Sequence, residues 1–386
     1  MAAAMQPFID QQQFAGVVTL VGTRDKVIDV EAAGYFDLAT KKPMQTDDMF
    51  WIASMTKSMT ATAMMVLLDQ GKIKLDDPVE KYLPEFKNRM VAKNALPDDD
   101  GADTNTNGTE SGKQRKRDAL KKNASAGGDE LEPASHPFTI REMLSHTAGL
   151  RGDATGKADT VDHYSLKDRV TLYAKDPLLS QPGTHYFYAN EDFNSAGRII
   201  EVVSGMPYDA FMQKYVFDPL EMKDTTFYPS PAQVTKLAKT YTARKGSGLE
   251  EVPIERFIYP LDDRKHRFPV ASGGVFTTAT DEAKFCQMLL NHGMFNGKHV
   301  ISEDSWKAMT TKETPAAIQT PYGFGLEVTP DGFRHGGAYK TEMTINEKDG
   351  FYTVFFVQKA SGLSESRQIA KAVEDTAEKI VASQSK

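Results

Sequence analysis

A chain of 386 residues exceeds the size at which one hydrophobic core usually stops growing, so two lobes are predicted; 40% hydrophobic and 26% charged residues suit an ordinary globular fold. The net charge of -7 offers no basic surface for nucleic acid or an anionic membrane. A single cysteine excludes an intrachain disulfide, and no apolar run reaches the length of a membrane-spanning helix.

The opening MAAAMQPFIDQQQF lacks the charged-then-apolar layout of a secretory signal, and residues 1–5 read as preceding the fold. Either the protein stays in the cytoplasm or the chain is a mature form. Residues 8–14 predict a short helix. Residues 16–22 and 26–33 are β-branched runs about a Thr23-Arg24-Asp25 turn, a hairpin pattern. Met59, Ala63, Val66 and Leu67 recur at helical spacing and predict a helix over 56–70, with Gly71 as its stop. Leu75-Asp76-Asp77-Pro78 starts another short helix. Residues 93–135 are rich in Gly, Asn, Ser, Thr and Asp, with a basic run at 113–117 and too few apolar residues for a core. They predict a solvated surface insertion; the alternative is a flap that edges a cleft or docks a partner. Helices follow at 138–145 and 194–203. Cys286 lies among Phe285, Met288, Leu289 and Leu290 and reads as a small buried apolar residue. Strands return at 323–328, 343–346 and 352–358, before a last helix over 364–382 with Ile369, Val373, Ala377, Ile380 and Val381 on one face.

Strands at both ends around a helical middle predict an α+β fold. One antiparallel sheet, assembled from distant segments and flanked by the terminal helices, forms a lobe from residues 1–80 and 265–386. Residues 81–264, with the insertion at 93–135, form a mainly helical lobe, and the cleft between the two is the expected site.

Ser54-Met55-Thr56-Lys57 carries the most chemistry. Residues three apart on a helix share a face, so the Lys57 amine reaches the Ser54 hydroxyl. A serine is a poor nucleophile until a base takes its proton, and a desolvated lysine helps in that task. At a helix N-terminus the serine N–H also points where an oxyanion is held. A plain helix cap is the structural alternative for Ser54. There is no Gly-x-Ser-x-Gly elbow and no His-Glu-x-x-His pair, and no cofactor or metal is implied.

The stretches WIASMTKSMTATAMMVLLDQGKIKLDDPVEKYLPEF, IREMLSHTAGL, PGTHYFYANEDFNSAGRIIEVVSG, SGGVFTTATDEAKF, YGFGLEV and FRHGGAY resemble the serine β-lactamase-like family. That family holds class C β-lactamases, penicillin-binding DD-peptidases, D-aminopeptidases and esterases, and the resemblance covers nearly all the chain outside the insertion and the ends. It implies the same two-lobed layout and, through its Tyr-x-Asn loop, places Tyr188 and Asn190 opposite the serine. Tyrosine loses its proton at about pH 10. Beside Lys57 its anion is favoured, which would make Tyr188 the general base, with Tyr186 as the rival phenol. Asn190 would hydrogen-bond Lys57 and the substrate. The resemblance also implies that His335-Gly336-Gly337 edges the cleft, the two glycines letting a substrate lie close. The Ala338 N–H would then join that of Ser54 as an oxyanion hole. His146 reads as structural support beneath the cleft.

Class C β-lactamases carry Lys-Thr-Gly where this chain has His335. A neutral imidazole binds a substrate carboxylate less strongly than lysine and changes charge near neutral pH. Lys340 either restores a cation at the cleft edge or narrows the entrance. The reading is a serine hydrolase acting through an acyl-enzyme on a carboxylic ester or a small amide or peptide. The alternatives are a β-lactamase, or a penicillin- or peptidoglycan-binding protein that turns nothing over. Relatives of this kind act in the periplasm or outside the cell, which stands against the missing signal.

Overall fold

A computed structural model describes residues 1–93, 130–151, 162–244, 248–254, 256–360 and 362–384. Seven strands build one antiparallel sheet: β1 (Gly16–Thr23), β2 (Val27–Asp37), β3 (Lys42–Pro43), β4 (Glu327–Thr329), β5 (Gly332–Gly336), β6 (Glu342–Asn346) and β7 (Phe351–Phe356). Their spatial order is β4-β5-β6-β7-β1-β2-β3, so β1 joins β7 and brings distant parts of the chain together. Val18 faces Phe356 across that seam and Leu20 faces Val354.

Strand alternation then divides the apolar residues between two layers. Val18, Leu20, Tyr352, Val354 and Phe356 turn to the main core, where helix Ala279–Leu290 packs on the sheet. Val17, Val21, Phe351 and Phe355 turn the other way, against Met5, Phe8 and Ile9 of helix Ala2–Asp10 and Ile369, Val373 and Ala377 of helix Ser366–Gln384. Burying each such side chain contributes about 1.5–3 kcal/mol. The first helix therefore begins earlier than the predicted 8–14. Met1 and Met5, expected outside the fold, are buried, and the helix stops where Gln12 takes φ +58°.

Two other expectations change. Of the predicted strand 323–328 only Glu327 and Val328 pair with β5, which Thr329 extends, because Gly325 turns the chain at φ +69° against the Lys57 backbone. The far end of the expected insertion is ordered: Leu131–Pro133 pairs with Met90–Ala92, and Lys93 meets Glu130 at 2.9 Å. The basic run at 113–117 lies outside the described residues.

Helix Thr56–Asp69 occupies the middle of the molecule, packed on helices Asn190–Ser204 and Glu303–Thr310. Its polar side chains from Thr56 to Thr62 do not face water. Thr60 Oγ1 contacts Ala271 O and the Tyr208 hydroxyl at 2.7 Å each, and Ser58 Oγ donates to Gly325 O at 2.7 Å. These bonds make burial tolerable on every side of the helix. Among the described residues no helix is long and apolar enough to cross a membrane.

Candidate active site

Strand Met49–Trp51 pairs with Phe276–Thr278 and leads straight into the turn that carries Ser54. Trp51 Nε1 donates to Gly273 O at 2.7 Å and the Ile52 N–H to Val275 O at 3.1 Å, which anchors the approach. Ala53 then takes φ +46°, a left-handed conformation that costs a non-glycine residue energy and occurs most often at functional turns. Ser54 sits in the 3₁₀ turn Ala53–Met55, two residues ahead of helix Thr56–Asp69. Lys57 follows in the first turn of that helix and is fully buried.

The Lys57 ammonium donates to Ser54 Oγ at 3.3 Å, to Asn190 Oδ1 at 2.8 Å and to Ser272 O at 2.8 Å. These acceptors come from three separate parts of the chain. Asn190 opens helix Asn190–Ser204, and Asn194, one turn on, accepts the Ser272 N–H at 3.1 Å. The same helix thus holds the lysine directly through one asparagine and indirectly through the other. Ser272 and Asn194 were not among the expected site residues; the spacing of four between two asparagines was the signal for the latter.

Tyr188 lies two residues before the start of this helix, and its ring centroid lies 4.7 Å from Lys57 Nζ, a cation over an aromatic face. Tyr186 points into a different environment. It packs on Tyr322 and His146, with ring centroids 5.5 Å and 6.0 Å apart, and burial pushes its phenol well above the ordinary value, with Tyr188 as the next cause. Tyr322 is raised in the same way, again chiefly by burial. Of the three clustered phenols, Tyr188 is the one stacked on the lysine.

His335 and Phe333 point inward from β5, whereas Arg334 and Gly336 point to the opposite face of the sheet. The His335 ring lies 6.4 Å from that of Tyr188. Its Nδ1 contacts Gly336 O at 2.9 Å and its Nε2 contacts the Tyr322 hydroxyl at 3.4 Å. Burial, with the Lys57 charge behind it, drives its pKa down to about 3. The expected change of charge near neutral pH is therefore absent: His335 is a neutral, engaged wall of the site.

The two glycines differ. A Cβ on Gly337 would overlap the Ile52 carbonyl and Thr341 Oγ1, whereas a Cβ on Gly336 would meet nothing nearer than Thr341 O at 3.6 Å. Gly337 thus lets the end of β5 lie against the residue two before Ser54. Neither the Ser54 nor the Ala338 N–H meets an acceptor among the described residues, and Ala338 is exposed. Lys340, at φ +68°, lines a groove of about 910 Å³ on the outer face of the sheet together with Arg334 and Arg367.

A candidate serine acyl-transfer site of this build accords with the proteins this chain resembles. The chain belongs to the beta-lactamase family, whose sequence model matches residues 1–378. Esterase EstB of Burkholderia gladioli is 27% identical over 94% of this chain and 89% of its own length. The D-alanyl-D-alanine-carboxypeptidase/endopeptidase AmpH of Escherichia coli is 27% identical over 65% of this chain and 51% of its own. Among solved structures, EstCE1, a hydrolase with promiscuous acyltransferase activity, superposes with a TM-score of 0.72 at 21% identity, covering 96% of each chain.

Proposed function

We propose that this protein is a serine hydrolase that cleaves carboxylic esters through an acyl-enzyme. The contact that carries this reading is the buried Lys57 ammonium held at once to Ser54 Oγ and Asn190 Oδ1. With Asn190 Oδ1, Ser272 O and Ser54 Oγ around it, the Lys57 amine is set up as an ammonium donor to all three, and in this mechanism it steadies charge rather than taking the serine proton. Tyr188, stacked beside it, takes that proton as Ser54 Oγ bonds the substrate carbonyl carbon. The Ser54 and Ala338 N–H groups receive the oxyanion, each donor worth about 3 kcal/mol of barrier. On collapse the C–O bond to the leaving alcohol breaks and Tyr188 returns the proton to that oxygen. Water, deprotonated by the same residue, then attacks the acyl carbon; the bond from that carbon to Ser54 Oγ breaks, Tyr188 returns the proton to Oγ, and the carboxylic acid leaves.

An ester is favoured over a D-amino peptide or a β-lactam because both of those present a carboxylate. His335, neutral and bonded on both nitrogens, offers that group no charge. EstB, whose similarity runs over 94% of this chain, is itself an esterase. A parallel screen of p-nitrophenyl esters, nitrocefin and D-amino-acid amides, on wild type and Ser54→Ala, tests the reading. Ester turnover lost in Ser54→Ala is expected. Turnover of nitrocefin or amides alone would overturn the substrate assignment, and turnover surviving in Ser54→Ala would overturn the nucleophile.

A further inference from the structure

Tyr188 is gripped on both sides by one residue. The His146 carbonyl accepts the Phe187 N–H at 2.8 Å, and His146 Nδ1 accepts the Ala189 N–H at 3.2 Å. Between those two bonds the imidazole ring lies 4.5 Å from the Tyr188 ring. We propose that His146 is the positioning residue for the catalytic phenol, holding the backbone before and after Tyr188 so that its ring stays over Lys57. This rests on the assignment of Tyr188 as the base, and it assigns His146 more than structural support of the lobe.

Several features fit positioning better than filling space. His146 holds φ +60°, in the left-handed region, and the chain beside it is fixed by Gly183 N–H to Thr147 O and Leu179 N–H to Gly149 O, both 2.8 Å. Its Nδ1 also lies 2.6 Å from Asp192 Oδ2, and both residues are buried. Nδ1 accepts from Ala189 only when it carries no proton, so the proton of the short contact belongs to Asp192 and the single Nδ1 lone pair is shared between the Asp192 hydroxyl and the Ala189 N–H in a three-centre contact. Burial acts in the same sense on both partners, lifting the Asp192 carboxyl well above its usual range and depressing the imidazole well below its own. His146 Nε2 is left buried without a hydrogen-bond partner among the described residues. A phenylalanine would fill the same space without stranding a polar atom, so the ring nitrogens serve another purpose.

A double-mutant cycle on p-nitrophenyl butyrate hydrolysis separates the two roles. His146→Phe keeps the ring and removes the Nδ1 acceptor; about a 10- to 100-fold loss of kcat at unchanged KM is expected, the scale of a small misplacement of a catalytic group. In a Tyr188→Phe background the same change should cost less than about threefold, since no base remains to be misplaced. His146→Asn, which tolerates the left-handed backbone and returns an oxygen near Nδ1, should restore most of the activity. Where His146→Phe does not fold, Asp192→Leu against Asp192→Asn is read in the same two backgrounds: a loss confined to Asp192→Leu with Tyr188 intact supports the grip. An equal loss in both backgrounds, or none from either His146→Phe or Asp192→Leu, would overturn it. Wild-type kcat in Tyr188→Phe alone is a separate result that removes the base assignment itself.

Discussion

Exchanging Gly337 for alanine should disable the enzyme without touching any reacting group, while the same exchange at Gly336 should not. The added Cβ at 337 falls on the Ile52 carbonyl oxygen, inside the 3.0 Å that real Cβ atoms respect, and on Thr341 Oγ1. Neither neighbour yields easily: the Ile52 carbonyl accepts the Met55 N–H at 3.2 Å and the Thr341 hydroxyl at 3.3 Å, and Thr341 is buried. The carbonyl must move by roughly 0.6 Å, and it belongs to the turn that carries Ser54. Misplacement on the order of 1 Å costs about 100-fold in rate, so a 10- to 100-fold fall in kcat/KM, about 1.4–2.7 kcal/mol, is the expected range. Gly336→Ala, whose Cβ meets nothing closer than 3.6 Å, should stay within about twofold. Steady-state hydrolysis of a p-nitrophenyl ester, with far-UV circular dichroism as a control for folding, reads both. Equal effects at the two glycines, or full activity in Gly337→Ala, would refute the packing argument.

Tyr188→Phe should lower kcat by about 100-fold or more, the worth of a positioned base, whereas Tyr186→Phe should remain near wild type because burial keeps that phenol neutral; stopped assays on one ester suffice, and the reverse ranking would exchange the two roles. Glu282 is fully buried with neither carboxylate oxygen hydrogen-bonded among the described residues, and burial raises its pKa from 4.5 to about 8. The folded state therefore holds a proton that the unfolded chain releases: the stabilising contribution is complete below pH 4.5 and is lost as pH rises through about 8. That difference is on the order of 5 kcal/mol, and Glu282→Gln should flatten the fall in urea midpoint across the interval. Identical pH profiles for the two proteins would show that Glu282 is not the group responsible.

The parts of the site that were legible in sequence are those set by short-range geometry. Ser54 and Lys57 lie three apart where an apolar strand gives way to a helix, and the fold keeps them within 3.3 Å. Tyr188 and Asn190 have no such local signature. Asn190 stands 133 residues from the lysine it binds, so only resemblance to a known pattern could bring them together. The neutrality of His335 was illegible for a related reason: it depends on burial that β5 alternation alone does not report, and on the charge of Lys57, which comes from a distant helix. The helix carrying Asn190 was expected to start at 194, which hid Asn194 as a second anchor; no residue there has a side-chain cap to mark the boundary. The sheet itself was read correctly in outline because a β-branched run at one end and an aromatic-rich run at the other are strand formers, whereas Gly325 cut one predicted strand short through a turn of its own.

Mass spectrometry of the intact protein, quenched within one turnover of a p-nitrophenyl ester and then digested, measures the central event. An added acyl mass on the peptide containing Ser54, absent in Ser54→Ala and accumulating more slowly in Tyr188→Phe, is the predicted result. Hydrolysis that proceeds with no acylated species, or with the acyl group on any other residue, would contradict it.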